Sequence, residues 1–492
     1  MRLFLVFFVV LIAADSFAQR KVIQLIEQSV ASLESEAHLS FLASDEMRGR
    51  DTGSPEIDIA ANYISTQLKI FGVAPVKGDT SYFQEVRLDK IVPATSANLT
   101  LGEDEFKLID DLLYISGNSV ILDGDVMFVG YGLTADFEKV DVKGKIVVAL
   151  AGSNATTNAV QALLTDAPEK AKRAAAHGAA ALIEVMLLPG LPWPALVNFL
   201  AADRMVTQKE SSKKIPHLFL KKTDAASVAS LMQSKRASGK LRVEASATEP
   251  IPARNVAGIV EGRDPSLKNE WIVVTAHYDH VGVKKNATPD SIYNGARDNA
   301  IGTVALLQAA KFFAKNPPKR SILFLAVTGE EKGLLGSEWY SNHPLIPLNQ
   351  TVFNMNCDGA GYNDKTIVTL MDLNRTSVDA LLKEACLSFG LQLKGDPAPE
   401  QNLYERSDNI NFAVKGVPAV DFAPGVRAFD KDLFKYYHQP PDEVASLDMS
   451  YIEKFHRSFV YGTYLIANDK NRPTWVKGDK FEEAGKRLYG NN

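Results

Sequence analysis

Residues 271–279 read WIVVTAHYD, residues 321–331 read SILFLAVTGEE and residues 351–358 read TVFNMNCD. Each is an apolar run of strand length that ends on residues able to bind a metal. Between the first two runs, Ile301, Val304, Ala305, Ala309 and Phe312 recur at the spacing of one helical face. Strands alternating with such helices predict an α/β fold, with a largely parallel central sheet covered by helices on both sides. In sheets of this kind ligands bind beyond the carboxyl ends of the strands. Those ends carry His277-Tyr278-Asp279, Gly329-Glu330-Glu331 and Asn356-Cys357-Asp358.

Working outward, residues 251–470 form one such segment, and residues 471–492 read as a C-terminal tail. Residues 116–250 are richer in strand patterns. Val126 to Gly132, Lys145 to Leu150 and Ala180 to Val185 are β-type runs, and a helical stretch from Glu169 to His177 stops at Gly178. This stretch has no cluster of metal-binding side chains and is expected to be an inserted domain. Its Pro189-to-Pro194 segment reads as a rigid connector or as an apolar overhang of the site. Residues 19–115 open with helical patterns (Ile23, Ile26, Val30, Leu33 and later Ile57, Ala60, Ala61, Ile64, Leu68) around a polar loop, Arg48 to Ser54.

At the start, Arg2 precedes an unbroken apolar run from Leu3 to Ala14, followed by Ser16-Phe17-Ala18. That is the pattern of a secretory signal cleaved after Ala18, and the run is shorter than the roughly 20 residues that span a bilayer. The expectation is export to the periplasm or the extracellular space, with no stable membrane insertion after cleavage. The chain is 46% apolar and 23% charged with net charge −5, a globular profile without the basic block that a nucleic-acid partner requires. Two cysteines, Cys357 and Cys386, do not make a disulfide framework, and both are expected to be free thiols. Oligomeric state is not legible.

Each strand-end residue has an ordinary reading of its own. A histidine after a strand is usually a loop or core residue, Asp298 suits a helix N-cap, a Glu-Glu pair is usually a solvated surface, and Asp358 suits a turn. Their coincidence at one rim changes the reading. His277, Asp298, Glu331, Asp358 and His438 make two histidines and three carboxylates, a set that suits zinc and exceeds what one catalytic ion needs. With one ligand bridging, five residues supply two open sites, and paired ions can share the activation of one water. Asp279, two residues beyond His277 on the same face of an extended chain, is expected to accept the second ring N–H of that histidine. Glu330 is then expected to be the general base.

His277-Tyr278-Asp279, Gly295-Ala296-Arg297-Asp298-Asn299, Glu330-Glu331-Lys332-Gly333-Leu334-Leu335-Gly336-Ser337, Asn356-Cys357-Asp358 and Tyr437-His438-Gln439-Pro440 resemble the ordered metal motifs of the M28 metallopeptidases. Residues 116–250 resemble the protease-associated (PA) domain inserted in many of them. The likeness runs from about residue 30 to about 465. It implies a phosphorylase/hydrolase-like fold, a mixed central sheet flanked by helices, two Zn2+ ions per chain and peptide substrates. By position it implies that His277 and Asp358 hold one ion, Glu331 and His438 the other, and that Asp298 bridges them. Glu330 matches the catalytic base, and Tyr437 matches a tyrosine that in some members hydrogen-bonds the tetrahedral intermediate, with a core aromatic as its equal alternative. Ser407-Asp408 resembles the segment beside the substrate pocket. Arg297 and Ile301 depart from common family residues, and Arg297 is open to two readings, a charge acting on the site or a substrate contact. The expected activity is removal of N-terminal residues. Glutaminyl cyclase, carboxypeptidase and non-catalytic binding relatives are the rival readings.

Overall fold

The computed structural model describes residues 19–76, 78, 80–154, 156, 162–188, 192–208, 215–245, 248–284, 288–371 and 373–490. The expected signal segment, and Pro189 to Leu191 of the proline-rich segment, lie outside the described residues. Two compact units divide the chain. The larger comprises residues up to Arg87 and from Pro252 onward, and the smaller runs from Leu88 to Ile251.

The larger unit is built on a mixed sheet of β1 (Phe83–Ile91), β2 (Glu249–Val260), β3 (Trp271–His277), β4 (Ser321–Val327), β5 (Thr351–Asn356), β6 (Ile367–Leu370), β7 (Gln392–Gly395) and β8 (Ala419–Pro424). These lie in the order β7-β6-β8-β5-β3-β4-β2-β1. The centre is parallel: β3 pairs with β4 and β5, and β5 with β8. β2 and β6 run antiparallel to their neighbours β4 and β8.

Successive side chains of a strand point to opposite faces, so a continuous apolar run feeds two cores at once. Ile272, Val274, Ala276, Ile322, Phe324 and Ala326 enter one cluster with helices α1 (Pro55–Phe71), α2 (Ile301–Lys315) and α3 (Met449–Asn468). Val273, Leu323, Leu325 and Val327 enter a second, with Tyr340, Phe412 and Trp475. α1 starts where Ser54 accepts from the Ile57 amide and ends at Gly72. The two cysteines are free and buried.

Residues 471–490 dock on the larger unit, where Trp475 donates its indole N–H to the Gly416 carbonyl at 3.1 Å and Tyr489 its hydroxyl to the Thr351 carbonyl at 2.5 Å. The smaller compact unit begins at Leu88, ahead of the border expected near residue 115. Ser96–Leu101, assigned from sequence to the N-terminal part of the peptidase, pairs with Arg236–Glu244 inside the sheet of the smaller unit. That sheet also holds Val120–Phe128, Ile146–Leu150 and Ala181–Met186 where strands were expected, and the neighbouring helix is Ala167–Ala176. In its interior Lys170, Glu184 and His217 form a buried ionic triad. Trp193 opens a helix and donates its indole N–H to the Ile109 carbonyl at 2.9 Å. Among the described residues, no helix is long and apolar enough to cross a membrane.

Candidate metal centre

Parallel pairing brings three strand ends to one edge. His277 closes β3 opposite Val327 of β4, and Thr275 lies opposite Asn356 of β5. The next residues of β4 and β5 deliver Glu330-Glu331 and Asp358. Asp298 comes from an irregular turn, Ala296–Ala300, just before α2, where its backbone leaves helical geometry (φ −118°, ψ 95°). Asp298 therefore does not cap α2. The N-cap position is Ala300, and Asn299 before it ties the turn to the helix, its Oδ1 accepting from the Gly302 amide at 3.0 Å while its Nδ2 donates to the Cys357 carbonyl at 2.8 Å. Gly302 is required for that approach, since a Cβ there would stand 2.3 Å from the Cys357 oxygen.

All five expected ligands converge. His277 Nε2 stands 3.0 Å from Asp358 Oδ1 and 3.4 Å from Asp298 Oδ1. His438 Nε2 stands 3.1 Å from both Asp298 Oδ2 and Glu331 Oε1. The ligand atoms fall into two groups, each within 4.8 Å: His277, Asp298 and Asp358, and His280, Asp298, Glu331 and His438. Asp298 belongs to both and turns one oxygen to each. Two donors bound about 2.1 Å from a tetrahedral zinc stand roughly 3.4 Å apart, and the contacts here match that edge. Neither ring nitrogen of His280, nor Glu331 Oε1, has a hydrogen-bond partner, although all are buried. Buried polar atoms left this way are costly unless something else binds them, so the donor set fits a nitrogen- and oxygen-liganded cation. His280 was missed from sequence. Its signal is the position three residues after His277.

Asp279 acts differently from expectation. His277 Nδ1 lies 3.2 Å from the Asp279 carbonyl oxygen but 3.7 Å from the carboxylate. The backbone takes the ring N–H and leaves Nε2 facing Asp298 and Asp358. The Asp279 carboxylate instead accepts the amides of Glu330 and Glu331, each at 3.2 Å, and so holds the Glu-Glu turn. Asp442 plays the matching part for the Asp298 turn, accepting from the amides of Arg297 at 2.9 Å and Asp298 at 3.3 Å. Arg297 is buried, pairs with Asp442 at 3.3 Å and lies over the Tyr436 ring at 3.7 Å. Its guanidinium also donates to the Ser446 carbonyl at 2.7 Å. Ser407 donates to Asp358 Oδ2 at 2.5 Å, and Ser337 to Asp408 at the same distance.

Arg50 comes from the polar loop before α1. Its guanidinium is buried and donates to the carbonyls of Tyr278, Leu42, Asn294 and Gly295. Burial pulls it down to about 10, against the attraction of Asp279, Asp442, Asp298 and Glu331. Gly49 beside it has φ 69°, and a Cβ there would meet the Tyr293 oxygen at 2.4 Å.

Electrostatics mark the cluster as short of positive charge. Burial opposes protonation of both histidines. Even so, Asp358 and Glu330 raise His277 well above its ordinary value, and Asp298 and Glu331 raise His438 to about 10. Burial, then Asp358, Glu331 and Asp408, push Glu330 well above the usual carboxylate range against the pull of His277. Burial also raises Asp408, to about 7. The pocket over the cluster is lined by five carboxylates (Asp298, Glu330, Glu331, Asp358, Asp421) against one arginine, Arg406, with His438, Tyr437, Met371, Leu403, Val426 and Phe429.

The family models match the same regions. Residues 255–462 match Peptidase family M28 and residues 115–228 match the PA domain. The chain thus carries a peptidase family M28 domain over residues 255–462 and a PA domain over residues 115–228. It is 26% identical to aminopeptidase YwaD of Bacillus subtilis (strain 168) over 361 residues, 71% of this chain and 68% of that protein. It is 29% identical over 184 residues to the vacuolar membrane protease of Ajellomyces dermatitidis, 34% of this chain and 17% of that protein. Among solved structures, an aminopeptidase from Aneurinibacillus sp. strain AM-1 superposes with TM-score 0.57 at 19% identity, covering 92% of this chain and 97% of that one.

Proposed function

We propose that this peptidase is an exported two-zinc aminopeptidase. The observation that carries the reading is Asp298, one carboxylate shared between two metal-binding groups on the floor of a pocket that also holds Glu330. His277, Asp298 and Asp358 hold one ion, and Asp298, Glu331 and His438 the other. When bound, such a pair polarises the scissile carbonyl and acidifies the attacking water.

Glu330 takes the proton of that water and passes it to the leaving amine. Its carboxyl lines the same pocket as Asp298, Glu331, Asp358 and His438, where a group that both accepts and returns that proton must stand. Asp279 holds the Glu330 backbone for this transfer, and Tyr437, on the pocket wall beside His438, donates to the carbonyl oxygen as it gains charge. Among the described residues Arg406 is the one lysine or arginine on the pocket wall, a poor anchor for a C-terminal carboxylate. This favours cleavage at the N-terminus. The leader residues 1–18 support export.

Glu330→Gln tests the mechanism. Turnover of aminoacyl-coumarin substrates is expected to fall by about 10²–10⁴-fold, as general bases contribute, with zinc content unchanged. Full activity in that variant would sink the mechanism. Cleavage of N-blocked dipeptides as fast as free ones would refute the choice of peptide end.

A further inference from the structure

His280 stands outside the five-ligand set, and its surroundings are not those of an ordinary core histidine. The contrast within the molecule is His456. That ring is also fully buried, but one nitrogen is 3.1 Å from Ser35 Oγ and the other 3.1 Å from the Ile301 carbonyl oxygen. His280 is equally buried, yet neither ring nitrogen has a hydrogen-bond partner. Its Nδ1 is 2.8 Å from Glu331 Oε1, which also lies 3.1 Å from His438 Nε2, and neither His280 Nδ1 nor that oxygen is satisfied as a hydrogen-bonding atom. The ring stands edge-on to His438, centroids 5.4 Å apart. Short contacts without hydrogen-bond geometry are what converging lone pairs leave around a common centre.

We propose that His280 is a fourth protein ligand of the ion that Asp298, Glu331 and His438 would hold, next to the three-ligand group of His277, Asp298 and Asp358. The inference rests on the two-zinc reading above. A fourth protein ligand holds an ion more tightly than three do, and zinc can still expand to a fifth position for the water that the pair shares. The ion beside His280 is therefore the one retained longer.

The zinc-loaded full-length protein, crystallised and measured at the zinc absorption edge, tests this directly. A His280 nitrogen is expected about 2.1 Å from the ion that Glu331 and His438 bind. A His280 nitrogen more than about 3 Å from that ion, or hydrogen-bonded to Glu331 beside it, would overturn the assignment. In competition with a chromophoric chelator, wild type is expected to give up one zinc readily and keep the other. His280→Gln should weaken retention of the second zinc by about 100-fold or more, beyond the 10–100-fold typical of residues that only orient a ligand. Two zincs held as in wild type would count against the inference. Absence of zinc from both groups in wild type would instead overturn the two-zinc reading itself.

Discussion

Two clusters of buried charge, one in each unit, look alike in composition and differ in how they are satisfied. In the smaller unit the Lys170 ammonium donates to Glu184 at 2.5 Å and to the carbonyls of Leu150 and Gly152 at 2.5 and 3.1 Å. His217 Nε2 takes the other Glu184 oxygen at 2.7 Å. Every ammonium proton and both carboxylate oxygens have a partner. In the larger unit His280 and Glu331 face each other without one, and carboxylates outnumber cations around them. A buried cluster that neutralises itself is structure, whereas one that converges on unmet charge is a place for an ion. Burial and residue type do not separate the two cases, and hydrogen-bond completeness does.

The largest expected effect lies in the closed triad. Glu184→Leu should destabilise the full chain by about 3–5 kcal/mol, because Lys170 is left as an uncompensated buried charge. Adding Lys170→Met should recover most of the loss in chemical denaturation. A loss below about 1 kcal/mol in the single variant would break the comparison, since removing one member of a complete buried network is costly.

Asp442→Asn probes the support of the open cluster. It weakens the clamp on the Arg297–Asp298 turn, and zinc affinity should fall about 10–100-fold, read by competition titration. An unchanged affinity would mean that the turn needs no such support. Glu330→Gln carries the opposite sign from Glu184→Leu. In chelator-treated protein it should raise stability by about 1–2 kcal/mol, because it removes a buried acid crowded by Asp358, Glu331 and Asp408. A lower melting temperature for that apo variant would show that the cluster is less frustrated than its geometry.

The pH profile sharpens the contrast further. His456 is depressed to about 3 by burial, so its contribution is complete above its unfolded value near 6.5 and is lost as pH falls below that. Burial raises Glu184, but His217 and Lys170 overcome it and leave the group lowered. Its contribution is complete above about 4.5 and is lost only below that. Stability should therefore decline in two stages, each with a slope up to about 1.4 kcal/mol per pH unit per proton. His456→Gln should flatten the upper stage alone. The smallest effect is expected at Lys240–Asp123, an exposed pair at 3.2 Å, where Asp123→Asn should cost less than about 0.5 kcal/mol.

Much of the candidate site was legible because its residues sit at the ends of local patterns. An apolar run predicts a strand, and the polar residue that ends it predicts the rim, so His277, Glu330, Glu331 and Asp358 needed only short-range reading. Asp279 was noticed for the right position but the wrong atoms, since its carboxylate binds a turn 51 residues away. Asp442 acts on Asp298 across 144 residues, and Arg50 on Gly295 across 245. No local periodicity encodes such partners.

What the sequence determined by itself, then, is the alternation of strands and helices and the kinds of donor that the strand ends carry. These follow from hydrophobic period and side-chain chemistry, which are properties of short segments. Only the tertiary structure decided that strands from Ser96 onward belong to the smaller unit, that residues 471–490 dock, and that His280 enters the cluster with its nitrogens unpartnered. Those outcomes depend on which groups meet and which remain unmet after folding, and a hydrogen bond that fails to form leaves no trace in the order of residues.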